Sequence, residues 1–290
     1  MVEADERLVV NGGWRPKLVA LDIDGTLLTW IEGSGQTEEV VPKRVYDAVH
    51  AAHSAGAHVV LASGRSPHGM TRIADLLDLP GPADDRLWVV ASNGAVVFRY
   101  SPVEVVFEET FDARAGVAAV LEHHPNARVA VEERGDGPGK SGGYRVNRPF
   151  PPGELSGEMT ICSVEELVAA PVNRVIIRDP EATADDFVEL MARLGLQGTD
   201  YVVGWSAWLD LAPVGVSKAS GLAFVCEQLG LTAADVLAIG DGRNDIEMLQ
   251  WAGRGVSMAQ AIDVVRAAAD HVTDAVYDDG AAVELERWFP

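Results

Sequence analysis

The chain has 290 residues, a length that predicts about two domains. Hydrophobic residues make up 48% of it and charged residues 23%, a composition typical of globular proteins that excludes disorder as the overall state. The net charge is −21, because 44 acidic residues outnumber 23 basic ones. Such a charge repels polyanions and anionic lipids, so we predict that neither nucleic acid nor a membrane is a partner.

The cysteines and the first residues of the chain bear on its location. Cys162 and Cys226 lie in apolar segments, where a cysteine usually serves as a small buried hydrophobic residue. The first ten residues carry acids where a secretion signal needs a basic region, and no apolar run approaches the roughly 18 residues of a membrane span. We therefore predict a cytoplasmic protein in a reducing compartment.

The first third of the chain alternates strands and helices. An apolar strand follows Lys17, a helix opened by Pro42 ends at Gly56, and a second apolar strand covers residues 58–62. A third apolar strand is predicted at 87–91. Strand, helix and strand in close succession form a βαβ unit, so we expect a parallel sheet that is buried on both faces.

The pattern changes after Asn93 and Gly94, a dipeptide typical of hairpin turns. An α+β segment follows, with predicted strands at 95–100, 103–110, 127–132 and 173–178, helices at 113–123 and 184–194, and a glycine-rich loop at 135–143. Alternation returns near residue 209, with predicted helices at 218–229, 245–251 and 261–269 and a strand at 236–239. We predict an α/β core domain, residues 1–95 and 209–290, into which an α+β domain, residues 96–208, is inserted.

Four polar segments stand at strand ends or helix starts, where open α/β sheets bind their ligands. They are Asp22-Ile-Asp24-Gly-Thr26, Ser63-Gly64-Arg65, Lys218 and Gly240-Asp241-Gly-Arg-Asn-Asp245. Two carboxylates so close together after an apolar strand repel each other unless a cation lies between them. Mg²⁺ suits such oxygen ligands, and Asp241 would arrive from another strand to complete them.

A phosphate ester bound at this ion would find three kinds of group. One carboxylate can attack phosphorus, the second can handle protons, and Ser63 with Lys218 can hold the phosphoryl oxygens. Each segment also has a simpler interpretation as a turn, a helix cap or a solvated lysine. A calcium EF-hand is excluded, because Gly33 occupies the position that needs a glutamate. The occurrence of all four segments in this order favours the phosphate chemistry.

The segments LVALDIDGTLL, LASGR, GVSKASGL and AIGDGRNDIEML resemble the four motifs of the haloacid dehalogenase (HAD) superfamily of phosphohydrolases. The NGA sequence at residues 93–95 is similar to a signature of the Cof-type branch, which has a type IIB cap. The resemblance implies a Rossmann-like parallel-sheet core domain with an α+β cap domain inserted between the second and third motifs. Residues 27–61 leave no room for the helical cap of the phosphoglucomutase-like members.

The resemblance also implies roles for individual residues. Asp22 would be the nucleophile and Asp24 the general acid/base, while Ser63 and Lys218 would bind the transferring phosphoryl group. The Mg²⁺ ligands would be Asp22, the main-chain carbonyl of Asp24, and Asp241, with Asp245 in or next to the ligand shell. The expected substrate-binding residues are Gly64, Arg65, Asn93 and Asn244. Arg243 receives no role.

We expect the cap to select the substrate, because a cap that closes over the core limits access to what fits beneath it. The candidates lie in or near the glycine-rich segment and are Lys140, Tyr144, Arg145 and Arg148. Each of them could equally belong to a solvated basic loop.

The leading hypothesis is a Mg²⁺-dependent phosphatase that hydrolyses a small phosphate monoester, such as a sugar phosphate, through an aspartyl-phosphate. A phosphomutase of the same superfamily is the first alternative, because only the cap chemistry separates the two. A regulatory protein that binds a phosphorylated metabolite without turning it over is the second alternative. The intact carboxylates, serine and lysine argue against the second alternative.

Overall fold

A computed structural model describes residues 13–31, 37–79, 86–133, 142–155, 157–194, 200–203 and 208–290. Its strands are β1 (Leu18–Leu21), β2 (His58–Ala62), β3 (Leu87–Ala91), β4 (Val96–Tyr100), β5 (Glu104–Glu108), β6 (Arg128–Glu132), β7 (Tyr144–Val146), β8 (Met159–Ile161), β9 (Val175–Arg178), β10 (Asp200–Val203), β11 (Trp208–Ala212), β12 (Val236–Gly240), β13 (Arg254–Ser257) and β14 (His271–Val272). Its α-helices are α1 (Lys43–Ser54), α2 (Pro67–Leu77), α3 (Arg114–His123), α4 (Val164–Leu167), α5 (Ala184–Leu194), α6 (Lys218–Leu229), α7 (Ile246–Trp251), α8 (Asp263–Ala268) and α9 (Gly280–Leu285).

The larger sheet has the strand order β14-β13-β12-β1-β2-β3-β4-β5. Its strands from β14 to β3 are parallel, and β4 and β5 continue it as antiparallel strands. The central strand β1 is fully buried on both faces, between two separate apolar clusters. This burial explains why β1 reads as a continuous apolar run, and the predicted α/β fold with a parallel-sheet core is confirmed.

The smaller sheet has the strand order β10-β11-β9-β6-β7-β8 and is antiparallel except for the β7–β8 pair. Helices α3 and α5 pack on one of its faces through a shared apolar core. Because side chains alternate along a strand, the residues between those apolar positions point to the opposite face. That second face turns towards the larger sheet, as the hydrogen bonds between the two sheets show.

The strand pairing refines the domain division predicted between residues 95 and 96. Ala91 pairs with Val96 across the turn at Asn93 and Gly94, so β4 and β5 belong to the larger sheet. Strand β11, which runs to Ala212, belongs to the smaller one. A hairpin keeps the chain in its own sheet, so the change of pattern at residue 93 coincides with a turn inside the larger sheet. We propose that the inserted domain runs from about residue 109 to about residue 212.

Two further sequence features can be located. Both Cys162 and Cys226 carry free thiols, and Cys226 is buried. None of the described helices combines the length and the apolar character that a membrane crossing needs. The cytoplasmic location stays a prediction.

Candidate active site

The candidate active site lies at the carboxyl edge of the larger sheet, where three adjacent parallel strands end. Asp22 follows β1, Ser63 follows β2, and Asp241 follows β12. Strand β1 pairs with β2 on one side and β12 on the other, so the three loops meet at one place. Lys218 is the first residue of α6. The side chain of Ser217 caps this helix by accepting a hydrogen bond from the backbone N–H of Ser220. The structure therefore brings together residues that are far apart in the sequence.

Three carboxylates crowd into this edge. Asp22, Asp241 and Asp245 are buried, and their oxygens lie within 4.8 Å of one another. The Lys218 ammonium is fully buried between two of them, with Nζ 2.5 Å from Asp22 Oδ1 and 2.6 Å from Asp245 Oδ1. We call these four residues the core cluster. Its carboxylates outnumber its single cation.

Burial and the excess of negative charge both raise carboxyl pKa values in the core cluster. Burial, with Asp245 adding its charge, raises the pKa of Asp22 well above its usual value. Burial and the same neighbour raise the pKa of Asp241 to about 7. A divalent cation would remove this repulsion, and the donors are the hard oxygens that Mg²⁺ prefers. The residues present thus fit a magnesium ion.

Gly25 makes room beside Asp241. It adopts a φ of +86°, and a Cβ at this position would come within 2.1 Å of Asp241 Oδ2. Gln260 donates from Nε2 to the Gly25 carbonyl at 2.7 Å and to Asp241 Oδ2 at 3.2 Å. The left-handed backbone and the close approach both require glycine after Asp24.

Asp24 lies outside the group of three carboxylates, and its side chain is held by Arg65. The guanidinium of Arg65 donates from Nε to Oδ2 at 2.9 Å and from Nη2 to Oδ1 at 2.6 Å. Thr37 donates its hydroxyl to Asp24 Oδ1 at 2.8 Å. Such a two-pronged contact fixes the orientation of a carboxylate. The structure thus places Arg65, expected to bind substrate, on the predicted general acid/base.

Four of the residues expected to bind the phosphoryl group or the substrate contact one another, namely Ser63, Gly64, Asn93 and Asn244. The backbone N–H of Asn93 donates to the Ser63 carbonyl at 3.0 Å, and Asn244 Nδ2 donates to Asn93 Oδ1 at 3.0 Å. Gly64 lies against Asn93, since a Cβ on it would be 3.0 Å from Asn93 Oδ1. Asn93 itself has a left-handed φ of 54°, which asparagine tolerates better than most residues. The structure thus brings Ser63, Gly64, Asn93 and Asn244 together, and their binding of phosphate stays a prediction.

Of the cap candidates, Tyr144 is buried on the face of the smaller sheet that turns towards the core. Arg145 donates to carbonyls of Glu166 and Leu167, and Arg148 donates to Asn126. Both arginines therefore bond within the inserted domain. Lys140 lies outside the described residues.

Sequence reasoning missed a group of charged residues on the smaller sheet, namely Glu132, Arg174 and Asp210. They lie within apolar strand sequences, where a buried charge is unusual. The available signal was a charged residue within an apolar sequence, such as Arg174 in the strand predicted at 173–178. Thr37, which binds Asp24, gave no such signal.

The chain is similar to known proteins along most of its length. The sequence model of the haloacid dehalogenase-like hydrolase family matches residues 19–285. A phosphoglycolate phosphatase of Natronomonas pharaonis is 33% identical over 93% of this chain and 96% of its own length. A 5-amino-6-(5-phospho-D-ribitylamino)uracil phosphatase of Bacillus subtilis, YcsE, is 27% identical over 94% and 95%. Among solved structures, the phosphatase BT1666 of Bacteroides thetaiotaomicron gives a TM-score of 0.73 at 25% identity, covering 96% of this chain and 97% of that one.

The chain belongs to the haloacid dehalogenase-like hydrolases. The predicted Cof-type, type IIB resemblance and the predicted phosphatase class are both confirmed. The roles of single site residues stay predictions.

Proposed function

We propose that this phosphatase hydrolyses small phosphate monoesters with Mg²⁺, through an aspartyl-phosphate on Asp22. The observation that carries the proposal is the core cluster, in which a buried carboxylate, a buried ammonium and two further carboxylates meet at the end of β1. A structural role alone does not account for three buried carboxylates around one cation, because burying unbalanced charge is costly.

The metal ligands we propose are the carboxylates of Asp22, Asp241 and Asp245 and the main-chain carbonyl of Asp24. When bound, Mg²⁺ would offset their charge and stabilise the negative charge on the phosphoryl oxygens. Asp245 also accepts from the backbone N–H groups of Asp241 at 3.0 Å and Gly242 at 2.8 Å, which holds it in place for this role.

The chain's own residues then divide the reaction between them. Lys218 holds Oδ1 of Asp22, and we assign the attack on phosphorus to Oδ2. As the phosphorus–oxygen bond of the ester breaks, Asp24 gives its proton to the leaving oxygen. Asp24 next accepts a proton from the water that hydrolyses the acyl phosphate, which regenerates both aspartates. Ser63, Lys218 and Asn244 hold the phosphoryl oxygens throughout.

The substrate class follows from the relatives and the site together. The Bacillus subtilis relative is named for a phosphorylated ribitylaminouracil and the Natronomonas pharaonis relative for phosphoglycolate. We propose a sugar phosphate or a similar small metabolite as the substrate.

The direct test is turnover of p-nitrophenyl phosphate by metal-stripped protein, with and without added Mg²⁺. We expect turnover that depends on Mg²⁺ and is abolished by excess EDTA. Full turnover in excess EDTA contradicts the metal role, and no turnover of any phosphate ester with Mg²⁺ present contradicts the proposed function. Asp47→Asn, which alters an exposed carboxylate on α1 far from the cluster in sequence, is the control variant.

A further inference from the structure

A second cluster of buried charge lies on the smaller sheet, on the face opposite α3 and α5. Glu132 ends β6, Arg174 precedes β9, and Asp210 lies in the middle of β11. These three strands are neighbours in the sheet. The side chains of Glu132, Arg174 and Asp210 are only 7%, 5% and 10% exposed. We call these three residues the cap cluster.

The cap cluster is only partly balanced within itself. Arg174 Nη2 donates to both carboxylate oxygens of Asp210 at 2.8 Å, and Nη1 lies 3.2 Å from Glu132 Oε1. Two carboxylates and one guanidinium carry a net charge of −1. Burial raises the pKa of the Glu132 carboxyl, although Arg174 opposes this effect. The buried Nε of Arg174 has no hydrogen-bond partner among the described residues, so a donor is left over.

The cap cluster faces the loops of the larger sheet that carry Gly64, Ser92 and Asn93. Arg174 donates to the Gly64 carbonyl, and Ser92 donates its hydroxyl to Glu132. Asn93 donates from Nδ2 to Asp210 Oδ2 at 3.2 Å. Gly64 and Asn93 are also two of the residues expected to bind substrate, and Asn93 accepts a hydrogen bond from Asn244, the neighbour of Asp245 in the chain. A group attached to the phosphate would therefore meet the cap cluster first.

We propose that Glu132, Arg174 and Asp210 form the subsite for the leaving group of the substrate, and that this group is uncharged and carries several hydroxyls. The inference rests on the proposed function. Carboxylates accept hydrogen bonds from hydroxyls, and the spare donor of Arg174 can bind a hydroxyl oxygen. Hydrogen bonds from the cluster to substrate hydroxyls would replace those that it makes with Gly64, Ser92 and Asn93. A carboxylate on the leaving group would instead face two carboxylates against one guanidinium.

The unaltered protein provides the first test. We would compare kcat/KM for ribitol 5-phosphate and for phosphoglycolate in the presence of Mg²⁺, with p-nitrophenyl phosphate as a reference. Hydrogen bonds to charged groups discriminate by about tenfold or more, so ribitol 5-phosphate should be preferred by at least that factor. Equal turnover of the two, or a preference for phosphoglycolate, overturns the inference while turnover of p-nitrophenyl phosphate leaves the proposed function standing. Loss of all three activities contradicts the proposed function itself.

Two variants locate the preference in the cap cluster. Asp210→Asn and Glu132→Gln each remove one negative charge with little change in shape. We expect each variant to lower the ratio of kcat/KM for ribitol 5-phosphate to kcat/KM for phosphoglycolate by about fivefold or more. An amide accepts hydrogen bonds from substrate hydroxyls less strongly than a carboxylate, and it repels the carboxylate of phosphoglycolate less. Asp179→Asn makes the same change at a buried carboxylate of the inserted domain that bonds to His124, and it should leave the ratio unchanged.

An unchanged ratio in both cluster variants, or an equal shift in the Asp179→Asn control, shows that the cap cluster only joins the two sheets, and it overturns the inference. Circular dichroism and thermal melting establish that each variant is folded. If the cluster variants do not fold, the preference of the unaltered protein decides the matter.

Discussion

The core cluster and the cap cluster bury charge in two different kinds of place. The core cluster lies in loops just beyond strand ends, where backbone N–H groups are free to bond a carboxylate, as those of Asp241 and Gly242 bond Asp245. The cap cluster lies within or directly beside strands whose backbone groups serve the sheet, so its carboxylates bond to side chains such as Arg174 and Trp208.

This difference suggests two tasks for the clusters. The loop carboxylates carry an excess of negative charge, which suits them to bind a cation. Strand side chains are held at fixed positions and fixed spacing, which suits them to recognise the shape and hydrogen bonding of a ligand. We therefore assign chemistry to the core cluster and selection to the cap cluster.

The largest effect is expected from breaking the core cluster at its nucleophile. Asp22→Asn should lower phosphatase activity below detection, because an amide cannot form the acyl phosphate. Steady-state turnover of p-nitrophenyl phosphate measures the loss. A variant as active as the unaltered protein contradicts the assignment of Asp22. Asp210→Asn, the matching change in the cap cluster, should alter preference among natural substrates and retain measurable chemistry.

The second prediction distinguishes two roles for Arg65, which either orients Asp24 or binds the substrate directly. Loss of a general acid/base typically costs about 10²- to 10⁴-fold, so Asp24→Asn should slow hydrolysis of alkyl phosphates by a factor in this range. Arg65→Gln should slow the same reaction by about tenfold or more, since Arg65 orients Asp24. In a double-mutant cycle, Arg65→Gln should have little further effect once Asp24 is Asn.

The cycle also has a contrary outcome. If Arg65 binds substrate directly, as the sequence predicted, Arg65→Gln will raise KM by the same factor in both backgrounds. That result would restore the substrate-binding role and remove the positioning role.

A third prediction concerns the close approach at Gly25. Gly25→Ala should greatly weaken Mg²⁺ binding measured by calorimetry, because the added Cβ would displace Asp241 Oδ2. Gly56→Ala is the matched control, since Gly56 has a similar φ of +88° but no atom within 4 Å of the added Cβ. Both variants should lose about 1 kcal/mol of stability from backbone strain, and only Gly25→Ala should lose the metal. Equal Mg²⁺ affinities would rule out Asp241 as a ligand.

The smallest effect is on thermal stability. Mg²⁺ should raise the melting temperature, because an ion that binds only the folded state adds about 2.7 kcal/mol when it is present at 100 times its Kd. Asp210→Asn should keep this response, since Asp210 lies outside the group of carboxylates that could hold the ion, whereas Asp241→Asn should lose it. A response that survives in Asp241→Asn would locate the ion elsewhere.

The sequence predicted the core cluster well and the cap cluster not at all, for a physical reason. The core carboxylates follow apolar strands in short motifs, so local pattern and the geometry of parallel strands suffice to bring Asp22 and Asp241 together. The contact of Arg65 with Asp24, and those of Arg174 with Asp210 and Glu132, depend on the pairing of distant strands and on how two sheets meet. Hydrophobic periodicity does not encode such contacts.

The difference between the domain boundary predicted after residue 95 and the one proposed near residue 109 also reflects contacts that local sequence pattern does not encode. The Asn93-Gly94 turn was predicted as a hairpin, and β3 and β4 do pair across it. Which sheet a hairpin extends is decided by packing of its side chains, such as Phe98, which is buried in the core of the larger sheet. The sequence pattern therefore changes at residue 93, whereas the chain leaves the larger sheet for the smaller one about 15 residues later.

Mass spectrometry of the acid-quenched enzyme tests the central claim most directly. Asp24→Asn protein mixed with p-nitrophenyl phosphate and Mg²⁺ should accumulate a phosphorylated form, because nitrophenolate leaves without a proton whereas hydrolysis of the acyl phosphate needs the missing base. We predict one phosphoryl group on the peptide that contains Asp22, and none when Asp22 is Asn. A phosphoryl group on a serine or histidine instead would contradict the account of the core cluster.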